Sequence, residues 1–232
     1  MATKLKILHV MTPWYPVPTK DYGGVEKFIS DLLNQQAKNH SITLFATGDS
    51  SISSGISLKY IFNTHIADQG WDRSAELIQA LAVVDELKRN TYDIVHVHNL
   101  HPLLSLLHLI PRVKIIFTHH SVLTKERKLI HELTREQNSK VQFIFLSNAH
   151  RNEYRHVDNA KVVPLGIDLK DFPIPEEVAR KDYFASLRSA NSSARIFPSY
   201  PMMCEKTVPS IYLRSAVLRR IIPGNFCRSA KK

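Results

Sequence analysis

The chain has 232 residues, 44% of them hydrophobic, and a formal charge of +10, which is enough apolar material for one large domain or two small ones and too much for a wholly disordered chain. No stretch reaches the roughly 18 apolar residues that span a bilayer, and a strand-like run starts at Leu5 without a long apolar segment before it, so neither a membrane span nor a signal peptide is expected. The charge is lopsided. Residues 1–179 hold 20 Lys/Arg against 19 Asp/Glu, whereas residues 180–232 hold 11 against two, so the tail carries +9 of the +10. A near-neutral first part argues against a nucleic-acid-binding domain and leaves any contact with nucleic acid or an acidic membrane to the tail. Both cysteines, Cys204 and Cys227, lie in the tail, so a disulfide-free first part fits a reducing, cytoplasmic setting.

In chain order, Leu5 to Met11 is a short apolar run closed by Thr12-Pro13 and predicts a buried strand. A Pro- and aromatic-rich loop leads to Gly23-Gly24, after which Val25, Phe28, Ile29, Leu32 and Leu33 recur at helical spacing. Ile42 to Ala46 repeats the strand signal and Leu58 to Phe62 gives a weaker one. Arg73 to Leu87 returns to helical periodicity through Leu77, Ala80, Leu81, Val84 and Leu87. Three further strand-like runs follow at Ile94 to Val97, Val113 to Phe117 and Val141 to Leu146, with helices expected over Pro102 to Leu109 and Lys125 to Glu136. Apolar strands alternating with helices imply a parallel sheet covered on both faces. The expected fold class is α/β, a doubly wound Rossmann-like parallel sheet with ligands at the carboxyl ends of its strands.

Gly23-Gly24 opens a helix directly. It fits a helix-entry turn, and it equally fits a loop whose backbone N–H groups approach a phosphate. It matches neither the dinucleotide fingerprint nor the phosphate-binding loop. The histidines are the stronger signal: His96, His98 and His101 fall at the carboxyl end of one strand, and His119 and His120 at the end of the next. Five imidazoles at one rim can make a metal centre, and a metal-dependent hydrolase built on His96, His98, His101 and His120 is one reading. Asn99 and Leu100 stand where such a site would want a carboxylate. The other reading is a polar cleft in which one His hydrogen-bonds a sugar hydroxyl or phosphate. His119 and His120 are adjacent at a strand end and should point in different directions.

The ordered motifs resemble the amino-terminal domain of family 4 retaining glycosyltransferases, which have the two-domain GT-B fold. The matching pieces are Gly23-Gly24-Val25-Glu26, the run from Asp93 to Asn99, Thr118-His119-His120, the run from Phe145 to Ala149, and the run from Lys161 to Asp168 with Phe172 beyond. Leu165 stands where family members usually carry Asn. The resemblance implies that Gly23 and Gly24 lie near the donor diphosphate and that His120 is the catalytic histidine contacting the transferred sugar. It places His98, Asn99, His101, His119 and Ser147 in the acceptor cleft. It implies no metal and no cofactor, with a nucleotide sugar as donor substrate and a saccharide, lipid or small molecule as acceptor.

On this reading residues 1–175 form the Rossmann-like, acceptor-side half of a GT-B fold, and residues 176–232 an irregular basic tail where a donor-binding domain would stand. The expected function is transfer of a hexosyl group from a nucleotide sugar with retention, with the chain by itself inactive because a truncation or frame shift removed the second domain. A non-catalytic glycan- or lipid-binding module is the alternative. The tail from Ile211 to Ile222 fits a short basic amphipathic helix on an anionic membrane, or no ordered structure at all. An uncovered interdomain face would favour self-association.

Overall fold

Runs of Ile, Val, Leu and Phe become strands because their branched and aromatic side chains pack on a pleated surface covered on both sides. In the computed structural model, which describes residues 3–20, 23–111, 113–138, 140–155 and 157–166, these runs give β1 (Lys6–Val10), β2 (Ser41–Ala46), β3 (Ile56–Tyr60), β4 (Ile94–His98), β5 (Lys114–His119), β6 (Val141–Phe145) and β7 (Ala160–Val162). Between them lie helices α1 (Gly24–Gln36), α2 (Ser74–Arg89), α3 (Pro102–Ser105), α4 (Lys125–Leu133), α5 (Arg135–Asn138) and α6 (Asn148–Glu153), with a 3-10 turn at Leu107–Leu109. The strands form one sheet in the order β3-β2-β1-β4-β5-β6-β7, and every pairing is parallel. Among the described residues this is a single Rossmann-like α/β sheet, as the alternation of strands and helices predicts. The expected boundary at 175/176, the basic tail and the motif residues Ile167, Asp168 and Phe172 lie outside the described residues.

The chain leaves β1 toward β2 and β3, then returns to lay β4 on the opposite side of β1. That reversal makes the carboxyl ends of β1 and β4 the switch point where an open parallel sheet leaves a crevice. Strand alternation divides the core in two. Ile7, Ile42, Leu44 and Ala46 pack with Ile29 and Leu33 of α1 on one face. Leu8, Val10, Val95, Val97, Phe117 and Phe143 pack with Val83, Val84 and Leu87 of α2 and with Leu103 and Leu104 of α3 on the other.

Several boundaries differ from the expected ones. The segment after Pro102 tightens into the 3-10 turn and stops at Ile110, which is extended because Pro111 follows it. The run from Lys125 divides at Thr134, whose hydroxyl donates to the Ile130 carbonyl at 2.7 Å and competes with continuing helix. In α2 the buried face comprises Ala75, Glu76, Gln79, Ala80, Val83, Val84 and Leu87, while Leu77 and Leu81 are exposed. Polar bonds set this phase. The Trp14 indole donates to the Glu76 carboxylate at 2.7 Å, and the Gln79 amide donates to the Met11 carbonyl at 2.7 Å. No helix among the described residues is long and apolar enough to cross a membrane.

Candidate functional site

The histidines grouped by sequence separate in space, because β-strand residues alternate between faces. His9 of β1 pairs in register with His96 of β4, so both point to the α1 side of the sheet together with His98. His120, just past β5, joins them. His119, one residue earlier, points to the opposite face with His101 and His131. The adjacent pair at the end of β5 thus diverges as expected, and the set His96, His98, His101 and His120 does not assemble, since His101 lies on the other face. Its Nδ1 bonds the Asn99 carbonyl at 2.7 Å, and its ring packs against Phe117 and His119.

On the α1 side the imidazoles form a hydrogen-bonded chain. Gln36, at the end of α1, places its carbonyl oxygen 2.7 Å from His9 Nε2. His9 Nδ1 lies 3.1 Å from His98 Nε2, and His98 Nδ1 lies 3.1 Å from His120 Nε2. Burial pushes His9 down to about 4 and His120 down to about 4, and it holds His98 well below the ordinary range, so these rings are neutral near pH 7. Each neutral ring carries one N–H and one lone pair. Because the Gln36 oxygen only accepts, His9 carries its hydrogen on Nε2, His98 on Nε2 and His120 on Nε2. One amide orientation at the far end of α1 thereby leaves His120 Nδ1 as a bare acceptor. That nitrogen is enclosed and has no hydrogen-bond partner among the described residues. His96 stands beside the chain, with Nε2 2.8 Å from the Thr118 hydroxyl and its ring 4.1 Å from His98.

Asn99 fixes the two strand ends relative to one another. Its backbone is left-handed, with φ 61, a conformation Asn tolerates better than most residues. Its side-chain oxygen accepts from the His120 backbone N–H at 2.8 Å, and its amide donates to the Ser121 hydroxyl at 2.7 Å. Ser147 acts locally, capping α6 by accepting from the His150 backbone N–H at 3.1 Å. His98 is buried inside the imidazole chain, and His119 is fully buried against Phe145, with ring centroids 4.7 Å apart and planes 3° from parallel. Of the residues placed in the cleft by resemblance, His98 and Asn99 therefore stand next to His120, whereas His101 and His119 line the opposite side of the sheet.

The glycine loop meets this group at the mouth of α1, where Phe28 brings its ring 6.1 Å from that of His120. Gly23 has φ 149, and a Cβ there would stand 2.6 Å from both the Glu26 carboxylate and the Thr19 hydroxyl. A side chain at Gly24 would meet nothing within 4 Å, so the start of the helix faces open space. Burial raises the Glu26 carboxyl above its ordinary range, against the pull of its own backbone N–H. Reading from sequence missed Gln36, His9 and His131 as members of these groups. The available signal was a polar residue inside an apolar strand for His9 and inside a helix for His131.

Comparison with known proteins agrees with this architecture. No curated protein matches the chain in sequence. Among solved structures, the sucrose-phosphate synthase of Thermosynechococcus elongatus superposes with a TM-score of 0.51 at 14% identity, covering 71% of this chain and 49% of that one. The amino-terminal domain of the Candida albicans trehalose-6-phosphate phosphatase gives 0.51 at 15% identity, covering 74% and 50%. The chain thus spans about half the length of these structures, and at such identities the likeness is one of fold. Residues 22–171 match the family model of Glycosyltransferase Family 4, a span that includes the glycine loop, the Asn99 clip and every member of the imidazole chain except His9, and the chain belongs to that family.

Proposed function

We propose that this chain forms the acceptor-side half of a GT-B glycosyltransferase that moves a hexosyl group from a nucleotide sugar to a saccharide, lipid or small-molecule acceptor with retention. The observation that carries the reading is the meeting, at the switch point of the sheet, of a glycine-opened helix and a chain of neutral imidazoles ending at His120. Backbone N–H groups at the start of α1, exposed beside Gly24, would stabilise the leaving diphosphate, and the helix dipole adds to this. The Glu26 carboxyl stands in the same first turn, and its burial favours the uncharged form that tolerates an anion nearby. His120 would contact the transferred sugar. The tautomer set through His98 and His9 makes its Nδ1 an acceptor for a hydroxyl hydrogen once the groups enclosing that nitrogen part, whereas a donating role would require the chain to reverse. Donor binding would fall mainly to a second domain, so this half by itself would transfer little or nothing.

An NMR titration of the full chain with millimolar UDP-glucose, and separately GDP-mannose, tests the reading. The Gly23, Gly24 and Val25 amides and the His120 ring should shift together, weakly, because this half holds only part of the donor's contacts. Shifts confined to another part of the domain would remove the diphosphate role from the glycine loop. Rapid transfer by the chain alone would confirm the chemistry and overturn the need for a second half.

A further inference from the structure

On the face of the sheet opposite the proposed sugar site, three more imidazoles converge from three separate elements. His101 immediately precedes α3, His119 ends β5 and His131 lies on α4, and one nitrogen from each falls within 4.8 Å of the others. All three are buried, at 2%, 0% and 1% exposure, among Phe117, Phe143, Phe145 and Tyr154. In α4, His131 is the only fully buried residue, while Leu129 and Leu133 of the same helix face solvent. The helix therefore meets the core through the His131 ring and the partly buried Ile130, and it is the imidazole that reaches deepest.

We infer that His101, His119 and His131 form a binding site for a divalent transition-metal ion of the zinc class, which fastens α3, β5 and α4 together beneath the proposed sugar site. His101 is already oriented as a ligand. Its Nδ1 lies 2.7 Å from the Asn99 carbonyl, which only accepts, so the hydrogen sits on Nδ1 and the lone pair of Nε2 points inward. A backbone carbonyl on the outer nitrogen is the usual way a metal-binding histidine is held. His101 Nε2 and both ring nitrogens of His119 have no hydrogen-bond partner among the described residues, and enclosed polar atoms in an apolar core need one.

The donor set selects the ion. Three imidazoles without a carboxylate suit Zn²⁺, Co²⁺, Ni²⁺ or Cu²⁺ and leave Mg²⁺ and Ca²⁺ without their oxygen ligands. Tetrahedral zinc at its usual bond length separates its nitrogens by about 3.3 Å, within reach of small side-chain rotations. The Arg127 charge acts on both His101 and His119 and opposes any cation here, so the bonds from the three imidazoles must outweigh it. The imidazoles on the α1 side are a poorer site, because His9 and His98 already spend both ring nitrogens on one another, Gln36 and His120.

The test uses the full chain, stripped with chelator, loaded with Co²⁺ or Zn²⁺ and gel-filtered. One equivalent should be retained, with the visible absorption of four-coordinate cobalt and only nitrogen and oxygen scatterers in X-ray absorption. His119→Phe, which keeps a ring against Phe145, and His131→Gln should each weaken binding by on the order of 100-fold or more, while replacing the partly exposed His65 by Ala leaves it unchanged. Failure to retain one equivalent overturns the inference, as does a thiolate-to-cobalt band from Cys204 or Cys227, or binding that survives both variants. If a variant fails to fold, the scatterers around the ion in the unaltered chain still decide the matter. No nucleotide sugar enters these measurements, so their outcome is independent of the transferase reading.

Discussion

At the scale of the residue, two neighbours in sequence carry opposite duties. His119 fills a fully buried aromatic niche, so His119→Ala should leave a cavity and lower stability by about 2–4 kcal/mol in urea unfolding. His120→Ala removes one imidazole bond and should lower stability by about 1 kcal/mol. If the proposed transferase reading holds, the same change in a form of the chain joined to a donor-binding domain should reduce kcat/KM by on the order of 30–1,000-fold. If His119→Ala instead damages turnover per folded molecule while His120→Ala does not, the histidine assigned to the sugar is the wrong one of the pair. Asn99 offers a test of backbone strain. Asn99→Ala forfeits two side-chain bonds and a tolerated left-handed residue, about 3 kcal/mol together, whereas Asn99→Gly keeps the backbone relaxed and should recover about 1 kcal/mol. Equal melting temperatures for the two variants would show that φ at this position is not held by the fold.

At the scale of the element, helix α2 shows how polar contacts rotate an amphipathic face. Its leucines at 77 and 81 suggest burial, but Glu76 and Gln79 are drawn inward by Trp14 and the Met11 carbonyl, which turns Leu81 to 48% exposure and leaves Leu87 at 5%. Leu81→Lys should therefore change stability by no more than about 0.5 kcal/mol. Leu87→Ala should lower it by about 2–5 kcal/mol. Comparable losses from both, measured by chemical unfolding, would mean that the helix packs in the phase its leucines suggest. Helix α1 performs a second service beyond covering the sheet: its glycine-opened start faces the crevice while Gln36, at its end, sets the hydrogen positions of the imidazole chain.

At the scale of the whole molecule, burying many neutral histidines ties stability to pH. His9, His96 and His98 are all held below the ordinary value of 6.5, chiefly by burial, so the unfolded chain takes up protons that the folded one refuses. Stability is then full above about pH 6.5 and falls as the pH drops toward 4, the folded value of His9. Each such group contributes up to about 1.4 kcal/mol per pH unit across that window. Glu26, raised by burial, acts in the opposite direction above its ordinary 4.5 but is one group against several. Urea midpoints recorded at pH 7.5, 6 and 5 should decline steeply, and a flat profile would show that these rings are not buried in neutral form.

The sequence by itself determined the fold class, because apolar runs of strand length alternating with amphipathic segments have few solutions other than a covered parallel sheet. It also determined that histidines collect at strand ends and that glycines open α1, since both are properties of position along the chain. The three-residue β7 and the six-residue α6 escaped notice because elements so short hold too few residues to show a period. Only the tertiary structure decided which histidines act together. Face follows strand parity, so His119 separates from His98 and His120, and the left-handed turn at Asn99 carries His101 into the start of α3 on the far side, while partners as distant as His9, Gln36 and His131 arrive through strand order and helix packing. Hydrogen bonds among imidazoles depend on distances of about an ångström between residues far apart in sequence, and no local pattern records them.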